Sequence, residues 1–423
     1  MKLAKAQLLQ LKSKKADILS YVANCFDPQS DPRSEISQKF EIALLIQAAA
    51  EKVSNHQFVY ARKLLSRCDL SASKSGNPVQ RIVYYFSEAL KEKIDNEWGI
   101  VSSVDLESKL KKAMDVEQAQ IQLQPVMMGC QQELPFRLVA QFAVCQLILD
   151  SVESAKKVHL IDFGIDNGSH WTLIMQSFAT RYKCPLELLK VTAVGTCKQM
   201  LEETGKWLSG FAETINLPFS YNIVVSDLKD LQKDSFELEA DEVVAVFLGM
   251  RLWTLLAWPN HLEALIGVIK KLKASAIVVK EIEASTNLPI FVERFGEAIL
   301  LMSALFDCTK ACMDHQILYR KMTEEIIFRE MIRNIVIAEG TERIHRHERI
   351  GFWRALFARF GMVEMEFSSS SLCQATLLLK RSSRFSSCTM DMNGKCLIMG
   401  WKGTAFMSLS AWMNENKSAN SLS

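Results

Sequence analysis

The chain has 423 residues, 49% hydrophobic and 23% charged, which is the composition of an ordinary globular protein and leaves room for one large domain or two or three smaller ones. Its formal net charge of +2 excludes a global pull toward nucleic acid or anionic membrane and leaves only local basic patches as a route to either. No run of about 18 apolar residues occurs, so no membrane-spanning helix is expected, and the basic start Met1–Lys15 holds too few leucines for a secretory signal core.

Residues 1–36 read as a short leader, a helix followed by a loop around Asp27, Pro28, Asp31 and Pro32. Its Lys12-Ser13-Lys14-Lys15 cluster reads as a solvated helix end rather than a localisation signal. From Phe40 to about Val152 the apolar residues keep helical spacing. Phe58, Ala61, Leu65 and Cys68 share one face, as do Val79, Ile82, Phe86, Leu90 and Ile94. Asn77-Pro78 supplies an N-cap and a first-turn proline for the second of these helices. Glu133-Leu134-Pro135 opens a further helix with the stripe Leu138, Phe142, Cys145 and Leu149. This half reads as an α-helical cap over 37–155.

After Lys156 short apolar runs alternate with helical stretches: Val158–Phe163, Leu186–Val194, Tyr221–Val225, Val243–Leu248 and Ala276–Ile282. Continuous apolar strands interleaved with helices predict a parallel sheet covered on both faces. From Gly361 the runs Met362–Phe367, Ala375–Lys380, Cys396–Trp401 and Phe406–Trp412 read as strands with short connections, which pair antiparallel, and Arg381–Asn393 reads as a Ser-rich loop. A parallel sheet ending in antiparallel strands is the pattern of a methyltransferase-like Rossmann core, placed here over 156–413, with a disordered tail at 414–423. Eleven cysteines without a CxxC pair read as reduced thiols of a cytosolic or nuclear protein, with Cys308 and Cys312 core-facing on one helix.

Val158-His159-Leu160-Ile161-Asp162 ends a buried strand in an aspartate, and the chain runs on through Gly164, Gly168 and Trp171 into a helix. This is a strand–turn–helix crevice at the carboxyl end of a sheet, where α/β folds place ligands. Asp162 reads as a structural carboxylate that caps the next helix or accepts from nearby amides. His159 reads as a hydrogen-bonded core histidine. The second strand ends Val194-Gly195-Thr196-Cys197, without the carboxylate that would hold the ribose of S-adenosylmethionine. No nucleophile–base set can be assembled. The arginines at 343, 346 and 349 disfavour a metal at His345 and His347. Across Glu339–Arg354 a helix would pair Glu342 with Arg346, a structural network for the terminal region. Two of Trp353, Trp401 and Trp412 are expected to be mainly core.

In order along the chain, these segments resemble those of the plant GRAS family. Val158–Asp162 resembles the VHIID motif, Phe40–Ile94 the first leucine-rich region and Leu201–Leu231 the second. Val278–Ala284, Arg294–Ala298, Leu305-Phe306-Asp307 and Phe328-Arg329-Glu330 resemble the PFYRE region. Glu339-Gly340, Glu342-Arg343, Arg346-His347-Glu348, Trp353-Arg354, Cys396–Trp401 and Ser410-Ala411-Trp412 resemble the SAW region. His170, Leu301, Met302 and His345 depart from the family's usual residues, and no DELLA-type motif is visible. The resemblance is Scarecrow-like and DELLA-related. It implies a GRAS domain over 37–413 and a nuclear transcriptional regulator, not an enzyme, that binds transcription factors and other GRAS proteins and reaches DNA through them. It implies no cofactor, metal or catalytic residue. Asp162, Gly164, Gly168 and Trp171 are then a vestigial ligand crevice. Arg329, Glu330, Glu339, Arg343, Arg346, Glu348, Trp353, Trp401 and Trp412 form a structural network, and Tyr60, Leu64, Tyr84 and Tyr85 are the candidate interaction surface. The alternative is an S-adenosylmethionine-dependent methyltransferase or a small-molecule sensor on the same fold.

Overall fold

The computed structural model describes residues 33–99, 125–126, 128–130, 132–165 and 167–415. The Lys12–Lys15 cluster and most of the leader lie outside them, as do residues 416–423; residues 33–36 of the expected leader already belong to the first helix. That helix, α1 (Arg33–Ser54), is followed by α2 (Phe58–Asp69), α3 (Pro78–Glu97) and α4 (Pro135–Ser151). Asn77 fixes the start of α3: its side chain accepts from the Gln80 amide while the Gln80 side chain accepts from the Asn77 amide, a reciprocal capping box with Pro78 at the first turn. The inner stripe of α3 packs on a later helix, with Phe86 edge-on to Phe295 at 5.2 Å and Tyr85 against Phe306 at 5.7 Å.

The sheet is built from β1 (Lys157–Asp162), β2 (Leu188–Gly195), β3 (Phe219–Val225), β4 (Val243–Gly249) and β5 (Ala276–Glu281), joined through α5 (Thr172–Ala179), α6 (Lys198–Thr214) and α7 (Pro259–Lys271). These five strands are parallel in the order β3-β2-β1-β4-β5. Next come α8 (Phe291–Met313), α9 (Ile317–Met322), a π-helical turn Thr323–Phe328, α10 (Arg329–Ile337) and α11 (Ile350–Arg359). Then β6 (Met362–Met365), α12 (Ser369–Lys380), β7 (Cys388–Asn393), β8 (Cys396–Trp401) and β9 (Thr404–Asn414) close the chain. β9 lies antiparallel to β5, and β6 and β8 both pair with it. The methyltransferase-like α/β core with antiparallel C-terminal strands is thus present. One large hydrophobic core joins the cap to one face of the sheet, and a second lies on the other face beneath α7 and α11.

Three local expectations are corrected. Ala375–Lys380 is helical, inside α12, not a strand: Ser368 accepts from the Ser371 amide to cap it, and its buried side, Ser371 and Ala375, packs on α4. Arg381–Asn393 is not all loop, because Cys388–Asn393 is β7, turned into β8 through Gly394 at φ +60°. Residues 343–349 are not helical, so the Glu342–Arg346 pair does not form; Glu283 instead accepts from the Ile350 amide at 3.0 Å and sets the start of α11 there.

Candidate functional site

Strand order reverses between β1 and β4, the switch point at which open α/β sheets hold ligands beyond the carboxyl ends of their strands. A cavity of about 650 Å³ opens at that edge. Phe163, Val194, Leu201, Leu255 and Trp258 give it apolar walls, and Lys229 and Arg251 give it cationic groups. Gly164 passes beneath Arg251 at φ +143°, and a Cβ there would stand 2.0 Å from Arg251 Nε, so any other residue strains the backbone and must push the guanidinium aside. Gly168, at φ +67°, is fixed by packing: a Cβ would meet Thr204 at 2.9 Å and Leu208 at 3.0 Å.

Of the four crevice residues expected from sequence, only Gly164 lines this cavity. Asp162 is fully buried and accepts from the Trp171 indole at 2.8 Å, with His170 Nε2 at 3.3 Å from the same oxygen. It therefore pins the 3-10 turn Ser169–Trp171 after β1 through a side chain, where capping of the next helix or acceptance from backbone amides was expected. His159 is a core histidine as expected: its ring joins Thr192 Oγ1 at 2.7 Å and Glu242 at 3.1 Å, and burial lowers its pKa to about 4. Glu242 in turn pairs with Lys190 at 3.3 Å.

These residues do not fit S-adenosylmethionine. The end of β2 offers no carboxylate for the ribose, and the Arg251 guanidinium overlies the glycine turn. Asp227, beyond β3, lies 3.5 Å from Lys229 and does not occupy the β2 position. Among the described residues no group of three or more metal-ligating side chains is placed to hold an ion. His345 stacks on Trp253 at 4.7 Å and burial lowers its pKa to about 4; His347 is buried against Thr286.

The expected network divides in two. Glu339 accepts from Arg294 and from Lys93 at 3.2 Å, so it ties α8 to α3. Arg343 donates to the Thr286 carbonyl at 2.8 Å, Arg346 to Asn287 at 3.0 Å, and Glu348 accepts from Asn287 at 2.6 Å, so residues 343–348 clamp the loop after β5. Burial, with Arg294 and Arg346 nearby, lowers the Arg343 pKa to about 10. Arg329 and Glu330 stand apart from this clamp, on half-exposed positions of α10; Arg329 faces Glu88 of α3. Trp353, Trp401 and Trp412 are all buried, one more than expected; Trp412 stacks on Phe357 at 4.6 Å and Trp401 donates to Asp307 at 2.6 Å.

Of the candidate surface residues, only Tyr60 is open, at 60% exposure beside Val59 at 61%. Lys52 and Lys63 stand 6.0 and 5.8 Å from its ring centre. Leu64 is half-buried against the core, Tyr84 is half-buried with its hydroxyl on Glu88, and Tyr85 is 2% exposed, so Tyr85 leaves the candidate surface. Sequence reading missed Arg251 and Lys229 as site residues. Arg251 left a signal, a lone charge breaking the apolar run Val243–Trp258 just past β4.

A family model described as the GRAS domain family matches residues 42–413. The chain is 30% identical over 391 residues to the DELLA protein GAI1 of Vitis vinifera, across 90% of this chain and 64% of that one. It is 28% identical over 376 residues to the DELLA protein RGA of Arabidopsis thaliana, across 87% of this chain and 61% of that one. It thus spans less than two thirds of these relatives' length. The solved structure of SCL7 from Oryza sativa has the same fold, with a TM-score of 0.77 at 24% identity over 88% of this chain and 99% of that one.

Proposed function

The chain belongs to the GRAS family, and from that premise we propose that it is a plant transcriptional regulator that acts in the nucleus by binding transcription factors and other GRAS proteins, and reaches DNA through them. The observation that carries the mode of action is the outward face of α2. Val59 and Tyr60 stand exposed there, while Ala61, Leu65 and Cys68 on the same helix are fully buried. The helix therefore spends one face on its own fold and offers the other, an aromatic and aliphatic pair rimmed by Lys52 and Lys63. Aromatic side chains presented this way are favoured anchors in protein contacts.

The rival reading, an S-adenosylmethionine-dependent enzyme, has little support: the crevice residues do not fit that cofactor, and fold alone does not imply function. The test is Tyr60→Asp, with circular dichroism as a fold control. A surface change of this kind shifts stability by no more than about 0.5 kcal/mol, so the variant stays folded. Capture of transcription factors or GRAS partners from plant nuclear extract, read by mass spectrometry and two-hybrid assay, falls. A folded variant that keeps every partner moves the interaction surface away from α2.

A further inference from the structure

We propose that the cavity beyond the carboxyl ends of β1, β2 and β4 is a binding site for a small organic anion, a molecule with an apolar body and one carboxylate- or sulfonate-type head group. Its volume of about 650 Å³ lies in the range that takes drug-sized ligands. Its walls are predominantly apolar, from Phe163, Val194, Leu201, Leu255 and Trp258. A body of carbon atoms gains by leaving water for such walls, whereas a bare inorganic ion gains nothing from them.

The sign of the head group follows from the polar lining. Two cationic side chains, Arg251 and Lys229, face the cavity against one acid, Asp227. The 17-residue helix α6 begins beside it at Lys198, with Thr196 and Cys197 in the wall, so the positive end of its dipole adds to the same field. The Arg251 guanidinium lies against the Gly164 turn at the switch point and is part of the cavity lining, and a guanidinium is the side chain whose planar fork pairs best with the oxygens of a carboxylate or sulfonate. The same guanidinium repels a sulfonium or an ammonium, so the site selects against cationic ligands. The site is separate from Val59 and Tyr60 on α2, and its failure would leave the partner surface untouched.

The experiment uses two probes that share one body. 1-Anilinonaphthalene-8-sulfonate carries the anion; N-phenyl-1-naphthylamine lacks it. Fluorescence titration of the full chain is expected to give one saturable sulfonate site. Arg251→Met weakens that binding by tenfold or more and Lys229→Met severalfold, while the neutral probe binds both variants as it binds the parent. Lys229 is half-exposed, so its variant stays readable if Arg251→Met fails to fold. Thr196→Trp, at an exposed position of the wall, closes the cavity and removes both probes. Sulfonate binding that ignores Lys229→Met and folded Arg251→Met overturns the anion assignment. Binding of either probe that survives Thr196→Trp places the dye elsewhere and overturns the site.

Discussion

Glu281 shows how burial turns a single side chain into a pH-dependent element of stability. It ends β5 at 1% exposure, and its Oε1 accepts from the amides of Arg251 at 3.1 Å and Leu252 at 2.7 Å. Burial raises its pKa from 4.5 to about 8 against the lowering effect of those amides. Between these values the folded chain holds a proton that the unfolded chain has released. The stability this group contributes is therefore complete below pH 4.5 and is lost as pH rises toward 8, by about 1.4 kcal/mol per pH unit. His345 acts with the opposite sign. Its pKa falls from 6.5 to about 4, so its effect is confined to the acid side of 6.5. Urea midpoints at about pH 7 and about pH 8 lie outside the His345 window, and the comparison of the parent with a variant at 281 singles out Glu281 from the other buried groups raised by burial, among them Glu283, Glu324 and Glu348. Glu281→Gln, which keeps an acceptor for both amides and cannot titrate, should lose less stability across that interval than the parent. Equal losses would mean that Glu281 is already ionised in the fold. The sequence placed this residue in the segment Val278–Ala284 and left its protonation unmarked, because its pKa depends on which backbone closes over it. His159, by contrast, was legible as a core histidine, since it lies inside a continuous apolar strand.

At the scale of elements, the legible features were those whose cause is local. Asn77-Pro78 announces α3 because cap and first-turn proline sit next to each other in sequence. The misread elements are those decided by tertiary partners. Ala375–Lys380 is an apolar run too short to distinguish strand from helix, and packing on α4 decides it. Residues 343–349 carry helix-compatible charges, yet their arginines reach the Thr286 carbonyl and Asn287, contacts that no periodicity encodes. The most consequential long-range contact is the buried ion triad that joins the cap to the π-helical turn. Glu324 sits 2.9 Å from Arg81 of α3 and 3.3 Å from Arg320 of α9, with all three side chains at most 9% exposed. Burial raises the Glu324 pKa, and the two arginines pull it back down. Glu324→Ala leaves two guanidinium groups buried without their carboxylate, a loss of about 3–5 kcal/mol. Denaturant midpoints check this, and a change under about 1 kcal/mol would show that water or a rearranged turn takes over the carboxylate's place.

For the molecule as a whole, the alternation of apolar runs and helices made the parallel half of the sheet readable, and the runs that became β6, β8 and β9 made part of its antiparallel edge readable, whereas β7 was read as loop. The strand order and the cavity were not, because they depend on which runs become neighbours: Val194, Leu255 and Arg251 meet only once β2 and β4 flank β1. The whole arrangement bears on S-adenosylmethionine, which a sheet of this shape invites. Two obstacles stand at its place. The ribose would find no acid after Val194-Gly195, and a buried or half-buried sugar diol left without its acceptor costs about 1–3 kcal/mol. The positive sulfonium would approach the Arg251 guanidinium at the Gly164 turn, a like-charge contact in a partly desolvated cleft. Together these oppose each end of the cofactor at once. Isothermal titration at millimolar S-adenosylmethionine should therefore give no saturable heat, and thermal melts should not move with the ligand. Micromolar binding that strengthens in Arg251→Ala would keep the electrostatic obstacle and dismiss the missing ribose acid. Micromolar binding indifferent to Arg251 would overturn both obstacles and bring the enzyme reading back.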